Sequence, residues 1–177
     1  SLCATNKKSS LLLVFIKGEI MIPKFISKTE RQLVLFDMDG VVAEYKFGEN
    51  PKIEREEKGV YLNKRPVYSI INVAKKLSKR KNLTVGILSS CDYDSQVIEK
   101  KQWLKKYMPF IKEENVFIVI WNNEPYTKGT RCTAKLDVIE KITGYEQIFL
   151  IEDTHKNIDA TNKFNPTIAH HLSELLD

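Results

Sequence analysis

Residues Leu33–Val42 read Leu-Val-Leu-Phe-Asp-Met-Asp-Gly-Val-Val, an apolar run that ends in two carboxylates spaced one apart and then a glycine. Four consecutive apolar residues closed by charges are the pattern of a strand buried on both faces. A helix beginning here would carry those charges in its interior without a cap. Gly40 permits a sharp turn and a close approach of backbone to ligand. Acids at the carboxyl end of a buried strand stand where open α/β sheets put their active sites.

The rest of the chain alternates in kind. Pro66 is placed to open a helix, and Val67, Ile70, Ile71, Ala74 and Leu77 then recur at helical spacing. A second buried strand, Leu83–Leu88, runs into Ser89-Ser90-Cys91. Asp94 or Ser95 can cap a helix carrying Val97, Trp103, Leu104 and Tyr107 up to Pro109. Val116–Ile120 is a third strand, followed by a polar loop and a helix that Thr133 can cap, running through Ile142 with Gly144 past its end. Ile148–Ile151 is a fourth strand that leads directly into Glu152-Asp153. A helix near 156–164 and a short strand at Thr167–Ala169 complete the count. Such alternation predicts an α/β fold with a three-layer, doubly wound parallel sheet.

Residues 43–65 are polar and irregular, as a small cap or flap would be. Residues 1–30 show no clear link to the core. Lys17-Gly18-Glu19-Ile20 before Met21 could be encoded by a purine-rich ribosome-binding sequence, so translation is expected to begin at Met21. The single domain is then expected over 31–177, with 1–30 as a leader or, as the other reading, an N-terminal strand or helix that docks on the domain.

At 177 residues and 42% hydrophobic, the chain suffices for one domain with a real core. The net charge of +5 comes from scattered lysines without a basic block interleaved with aromatics, which argues against a nucleic-acid surface. Cys3, Cys91 and Cys132 form no CxxC or Cys/His cluster, so neither a zinc site nor a disulfide framework is expected, and the cytoplasm is the expected compartment. Leu11–Ile16 is too short to span a membrane.

In a parallel sheet, Asp37/Asp39, Ser89/Ser90 and Glu152/Asp153 all lie at one edge. Converging carboxylates repel one another unless a cation sits among them, and Mg²⁺ is the hard ion that takes oxygen ligands and keeps waters for a phosphate. Asp37-Met38-Asp39-Gly40-Val41 resembles the first motif of the haloacid dehalogenase-like (HAD) hydrolases. Ser89 resembles their second motif, a lysine opening a helix their third, and Glu152-Asp153 their fourth. The likeness covers roughly residues 31–170. Within that superfamily, Glu57–Asn63, Glu99–Pro109 and Asp153–Asn157 are most similar to the cytosolic-type 5′(3′)-deoxyribonucleotidases and their bacterial or phage relatives.

The resemblance implies a HAD-like Rossmannoid domain with a small cap and a Mg²⁺-dependent phosphomonoesterase. Asp37 would attack phosphorus to form an aspartyl-phosphate, and Asp39 would be the acid and base. Mg²⁺ would bind Asp37, the Asp39 carbonyl and Asp153, with Glu152 as direct or water-mediated support. Ser89, preferred over Ser90 as the first polar residue after the strand, would bond a phosphoryl oxygen. Lys135 is preferred over Lys128 as the phosphate-facing lysine. Tyr45, Phe47 and Tyr61 in the flap are candidates to stack on a base, with core packing as the other reading. His155 reads as a loop residue, and Cys91 as packing beside the site. The expected partner is a small phosphomonoester, foremost a nucleoside monophosphate. Sugar phosphates, nucleic-acid ends and a non-catalytic HAD-like binding role are the alternatives.

Overall fold

The structure, a computed structural model, describes residues 23–45, 57–121, 131–164 and 168–176. Its centre is β1 (Gln32–Phe36), fully buried, with β2 (Leu83–Cys91) on one side and β4 (Gln147–Glu152) on the other. Outside these lie β3 (Val116–Ile120) and β5 (Ala169–His171), giving the all-parallel order β3-β2-β1-β4-β5. Helices α1 (Tyr68–Leu77), α2 (Asp94–Tyr107), α3 (Arg131–Lys141) and α4 (His155–Phe164) fall between the strands.

The alternation of side chains along β1 divides the core in two. Val34 and Phe36 join Val85, Ile87, Phe149 and Ile151 under α1 and α2, where Ile70, Ala74, Trp103 and Leu104 cover them. Leu33 and Leu35 face the other way, with Leu88 and Leu150, against Ile139 of α3 and Ile158 of α4. A strand apolar on both faces therefore has a helical layer on each side, the three-layer arrangement that the sequence predicts.

Several boundaries differ from expectation. β2 continues through Ser89 and Ser90 to Cys91, so both serines are strand residues and not the loop after it. Thr133 lies inside α3, whose first residue is Arg131, and neither Asp94 nor Ser95 caps α2, since Tyr93 holds that position. The last strand runs from Ala169 to His171, and Thr167 of the expected strand lies outside the described residues. The stretch from Pro23 packs on the domain: Ile26 is buried in the first core, and Phe25 stacks on His170 with ring centroids 3.9 Å apart. The expected start at Met21 lies outside the described residues. No helix among the described residues is long and apolar enough to cross a membrane.

Gly86, in the middle of β2, lets the turn before β3 close over the sheet. A Cβ there would stand 2.6 Å from the Asn115 carbonyl oxygen and 2.9 Å from Leu35 Cδ2. Gly86→Ala is expected to destabilise the fold by about 1–3 kcal/mol, through overpacking against backbone that cannot swing aside. Urea unfolding followed by circular dichroism measures this, and an unchanged midpoint would contradict it.

Candidate active site

Parallel pairing carries the strand ends to one edge. Phe36 is in register with Ile151 of β4 and Ile87 of β2, and the Asp37 amide still donates to the Ile151 carbonyl at 2.9 Å. The chain then coils tightly. The Met38 carbonyl accepts the amides of Val41, Val42 and Ala43, and Met38, Val41 and Val42 are fully buried. These apolar anchors leave Asp37 and Asp39 to border a cleft of about 300 Å³. Its lining includes Ser89, Ser90, Lys135, Glu152, Asp153 and the flap residues Tyr45 and Tyr61.

The two acids are paired with different buried cations, Asp37 with Lys135 and Asp39 with Lys100 and Lys64. Asp37 Oδ2 lies 3.0 Å from Lys135 Nζ, which also donates to Glu152 Oε1, and Asp37 Oδ1 accepts the Met38 amide at 2.7 Å. Asp39 Oδ2 lies 2.6 Å from Lys100 Nζ, and Asp39 Oδ1 lies 3.2 Å from Lys64 Nζ. Lys100 is wholly buried and spends its other two N–H groups on Ser89 Oγ and the Ser90 carbonyl, each at 2.9 Å. Ser89 Oγ accepts that bond, so its own O–H is left to donate to a third group.

The charges set the protonation. Burial works to raise the Asp39 carboxyl, but Lys100 and then Lys64 outweigh it and hold the group below the usual carboxylate range. Burial likewise opposes the Lys135 charge, yet Asp37 and Glu152 keep its ammonium above the ordinary lysine value. Glu152 goes the other way: burial first, and Asp37 next, push its carboxyl up. Burial also raises the Cys91 thiol, to about 11, which leaves it protonated and unreactive.

Asp37, Glu152 and Asp153 bring carboxylate oxygens within 4.8 Å of one another. Among the described residues, Glu152 Oε2 is buried without a hydrogen-bond partner, and Lys135 is the cation paired within this group of acids. Gly40, at φ +84°, leaves room for Asp153 to lie against the turn, because a Cβ there would be 2.0 Å from Asp153 Oδ2. An all-oxygen set with an unsatisfied buried oxygen fits a hard divalent cation such as Mg²⁺. The Asp39 side chain is not part of this set and turns to the lysines instead.

Lys128 and Phe47 lie outside the described residues. Tyr61 is buried at the foot of the flap, whereas Tyr45 is 55% exposed at the cleft. His155 is the first residue of α4 and stacks on His171, ring centroids 4.7 Å apart. Lys64 and Lys100 are the functional candidates that the motifs leave out. Lys100 carried one signal: it occupies the apolar stripe of α2 with Val97 and Leu104, where a lysine demands a buried acceptor.

The sequence matches no protein-family model and no curated protein. Solved structures match it in fold. A chain in the structure of a Pnkp1/Rnl/Hen1 complex superposes with a TM-score of 0.61 at 16% identity, over 86% of this chain and 50% of that one. This chain thus spans half the length of that neighbour. A protein from Burkholderia xenovorans LB400, called a haloacid dehalogenase-like hydrolase, superposes with a TM-score of 0.53 at 15% identity, over 80% of this chain and 81% of its own. The chain has the haloacid dehalogenase-like fold. At such identities the likeness is one of architecture, and the chemistry has to be argued from the residues.

Removing Lys135 would strand Asp37 and Glu152 as uncompensated buried acids. Lys135→Met is expected to cost about 3–5 kcal/mol in the presence of chelator. Millimolar Mg²⁺ should then raise the melting temperature of the variant by more than it raises that of the wild type. Equal Mg²⁺ shifts by scanning calorimetry would contradict this charge balance.

Proposed function

We propose that this protein is a Mg²⁺-dependent phosphomonoesterase that works through an aspartyl-phosphate on Asp37, and that nucleoside monophosphates are its substrates. The observation that carries the reading is the separate pairing of the two acids after β1. Asp37 is held by Lys135 and a backbone amide, and Asp39 by Lys100 and Lys64. Two neighbouring carboxylates kept in different surroundings suit two different tasks.

Asp37 attacks phosphorus as its carboxylate, and the phosphorus–oxygen bond to the leaving alcohol breaks as the acyl phosphate forms. Asp39 gives its proton to the departing alkoxide. The lysines keep that carboxyl ionised in the free protein, so the negative charge of the bound phosphate is what brings a proton onto it. Water then attacks the acyl phosphate, Asp39 takes its proton, and phosphate leaves with Asp37 restored. Ser89 donates to a phosphoryl oxygen throughout, with its oxygen fixed from behind by Lys100. Asp37, Glu152 and Asp153 would hold Mg²⁺, which when bound offsets the repulsion between a carboxylate nucleophile and a phosphate dianion.

The exposed ring of Tyr45 at the cleft supports a substrate that carries a flat base. Asp37→Asn is expected to lower phenyl phosphate hydrolysis more than about 10³-fold while leaving the melting temperature close to that of the wild type. A panel of nucleoside monophosphates, sugar phosphates and oligonucleotide ends then tests the substrate class. Full activity in Asp37→Asn, or in chelator, would overturn the mechanism. A preference for sugar phosphates or for oligonucleotide ends would overturn the nucleotide assignment.

A further inference from the structure

One turn of α2 reaches both the flap and the catalytic acid. Glu99 and Trp103 stand one helical turn apart on the same face, and Lys100 is next to Glu99 on the side toward the sheet edge. Glu99 is 7% exposed, and its two carboxyl oxygens are divided between two backbone amides of the 57–65 arm. Gly59 N–H donates to Oε1 at 2.6 Å and Tyr61 N–H to Oε2 at 3.1 Å. Trp103 Nε1–H donates to the Lys64 carbonyl at 2.8 Å. Three points on one arm are therefore fastened to one rigid helix, which is itself packed into the core through Trp103 and Leu104.

That arm presents two side chains to the site. Lys64 Nζ meets Asp39 Oδ1 at 3.2 Å and the Glu44 carbonyl, on the opposite stem of the flap, at 3.3 Å. The Tyr61 ring lies 4.6 Å from Lys100 Nζ and 5.4 Å from Lys64 Nζ. Lys100, from the same helical turn, grips the other oxygen of Asp39. Asp39 thus has one oxygen held from the helix and one from the arm that Glu99 and Trp103 fasten to that helix.

We propose that Glu99 is a positioning residue for the hydrolysis reaction: it anchors the 57–65 arm so that Lys64 holds Asp39 in the geometry for proton transfer. This rests on the phosphomonoesterase reading for its catalytic consequence, and on the hydrogen bonds alone for the anchor. A carboxylate is required because both of its oxygens accept. Glutamine in its place would turn an amide N–H₂ toward one of the two backbone N–H groups, donor against donor.

Glu99→Gln keeps the size of the side chain and tests this in the full-length protein. Backbone hydrogen exchange in peptides covering 57–65 should quicken about tenfold, the loss of one to two hydrogen bonds, while peptides from β1, β2 and β4 exchange as in the wild type. With phenyl phosphate, kcat should fall about tenfold and KM stay within twofold, because Asp39 acts on the leaving oxygen in the transition state and not on the bound ground state. Trp103→Phe, which removes a single donor to the arm, should shift both readouts in the same direction by less. Unchanged exchange at 57–65 would overturn the anchor. Faster exchange with unchanged kcat would overturn its link to Asp39. Should the wild type hydrolyse no phosphomonoester, the function reading falls, and exchange alone decides whether Glu99 anchors the arm.

Discussion

Everything at the carboxyl edge of the sheet depends on buried ammonium groups standing between buried acids. Asp37 and Glu152 share Lys135, and Asp39 is gripped by Lys100 and Lys64. Without these cations the acids would stand as uncompensated buried groups at close quarters. The lysines themselves are bearable there only because their N–H groups find acceptors. Lys100 has three, Asp39, Ser89 and the Ser90 carbonyl. The charge pattern and the backbone geometry are thus one constraint, since moving a strand end by a residue would break several pairs at once.

The backbone meets that constraint with ordinary means. Parallel register sets Phe36 beside Ile151, so the residues that follow each strand, Asp37 and Glu152-Asp153, become neighbours. Met38, Val41 and Val42 then bury themselves beneath the turn, which leaves Asp37 and Asp39 at the cleft. The positive φ of Gly40 matters because Asp153 occupies the space where any other side chain would begin.

Much of this was legible in the sequence, for a physical reason. A strand buried on both faces must be nearly all apolar, so β1 and β4 stand out, and the acids that end them stand out as well. Lys64 and Lys100 were hidden because a lysine in a Lys-rich chain reads as surface until its position in an apolar stripe is noticed, and Lys64 has not even that mark. The role of the Glu99-Lys100-x-x-Trp103 turn is not legible in the sequence, because the partners of Glu99 and Trp103 are backbone amides and a carbonyl, which leave no trace in side-chain patterns. The docking of residues 23–30 rests on Phe25 and Ile26 meeting a surface made by β4 and β5, a tertiary fit that no local period encodes. Thr133 failed as a cap because α3 begins two residues earlier.

The pairing of β1 with β4 also bears on the order in which a working protein can come into being. Gln32 and Gln147 are hydrogen-bonded across a sequence separation of 115. A ribosome emits the first pair of acids long before it emits the last, and contacts so distant in sequence are slow to close. Until β4 arrives, Lys135 has only half of its counter-charge, and the central strand has an open flank that invites association with other chains. A chain that lacks β4 therefore carries an unpaired edge at the centre of its sheet.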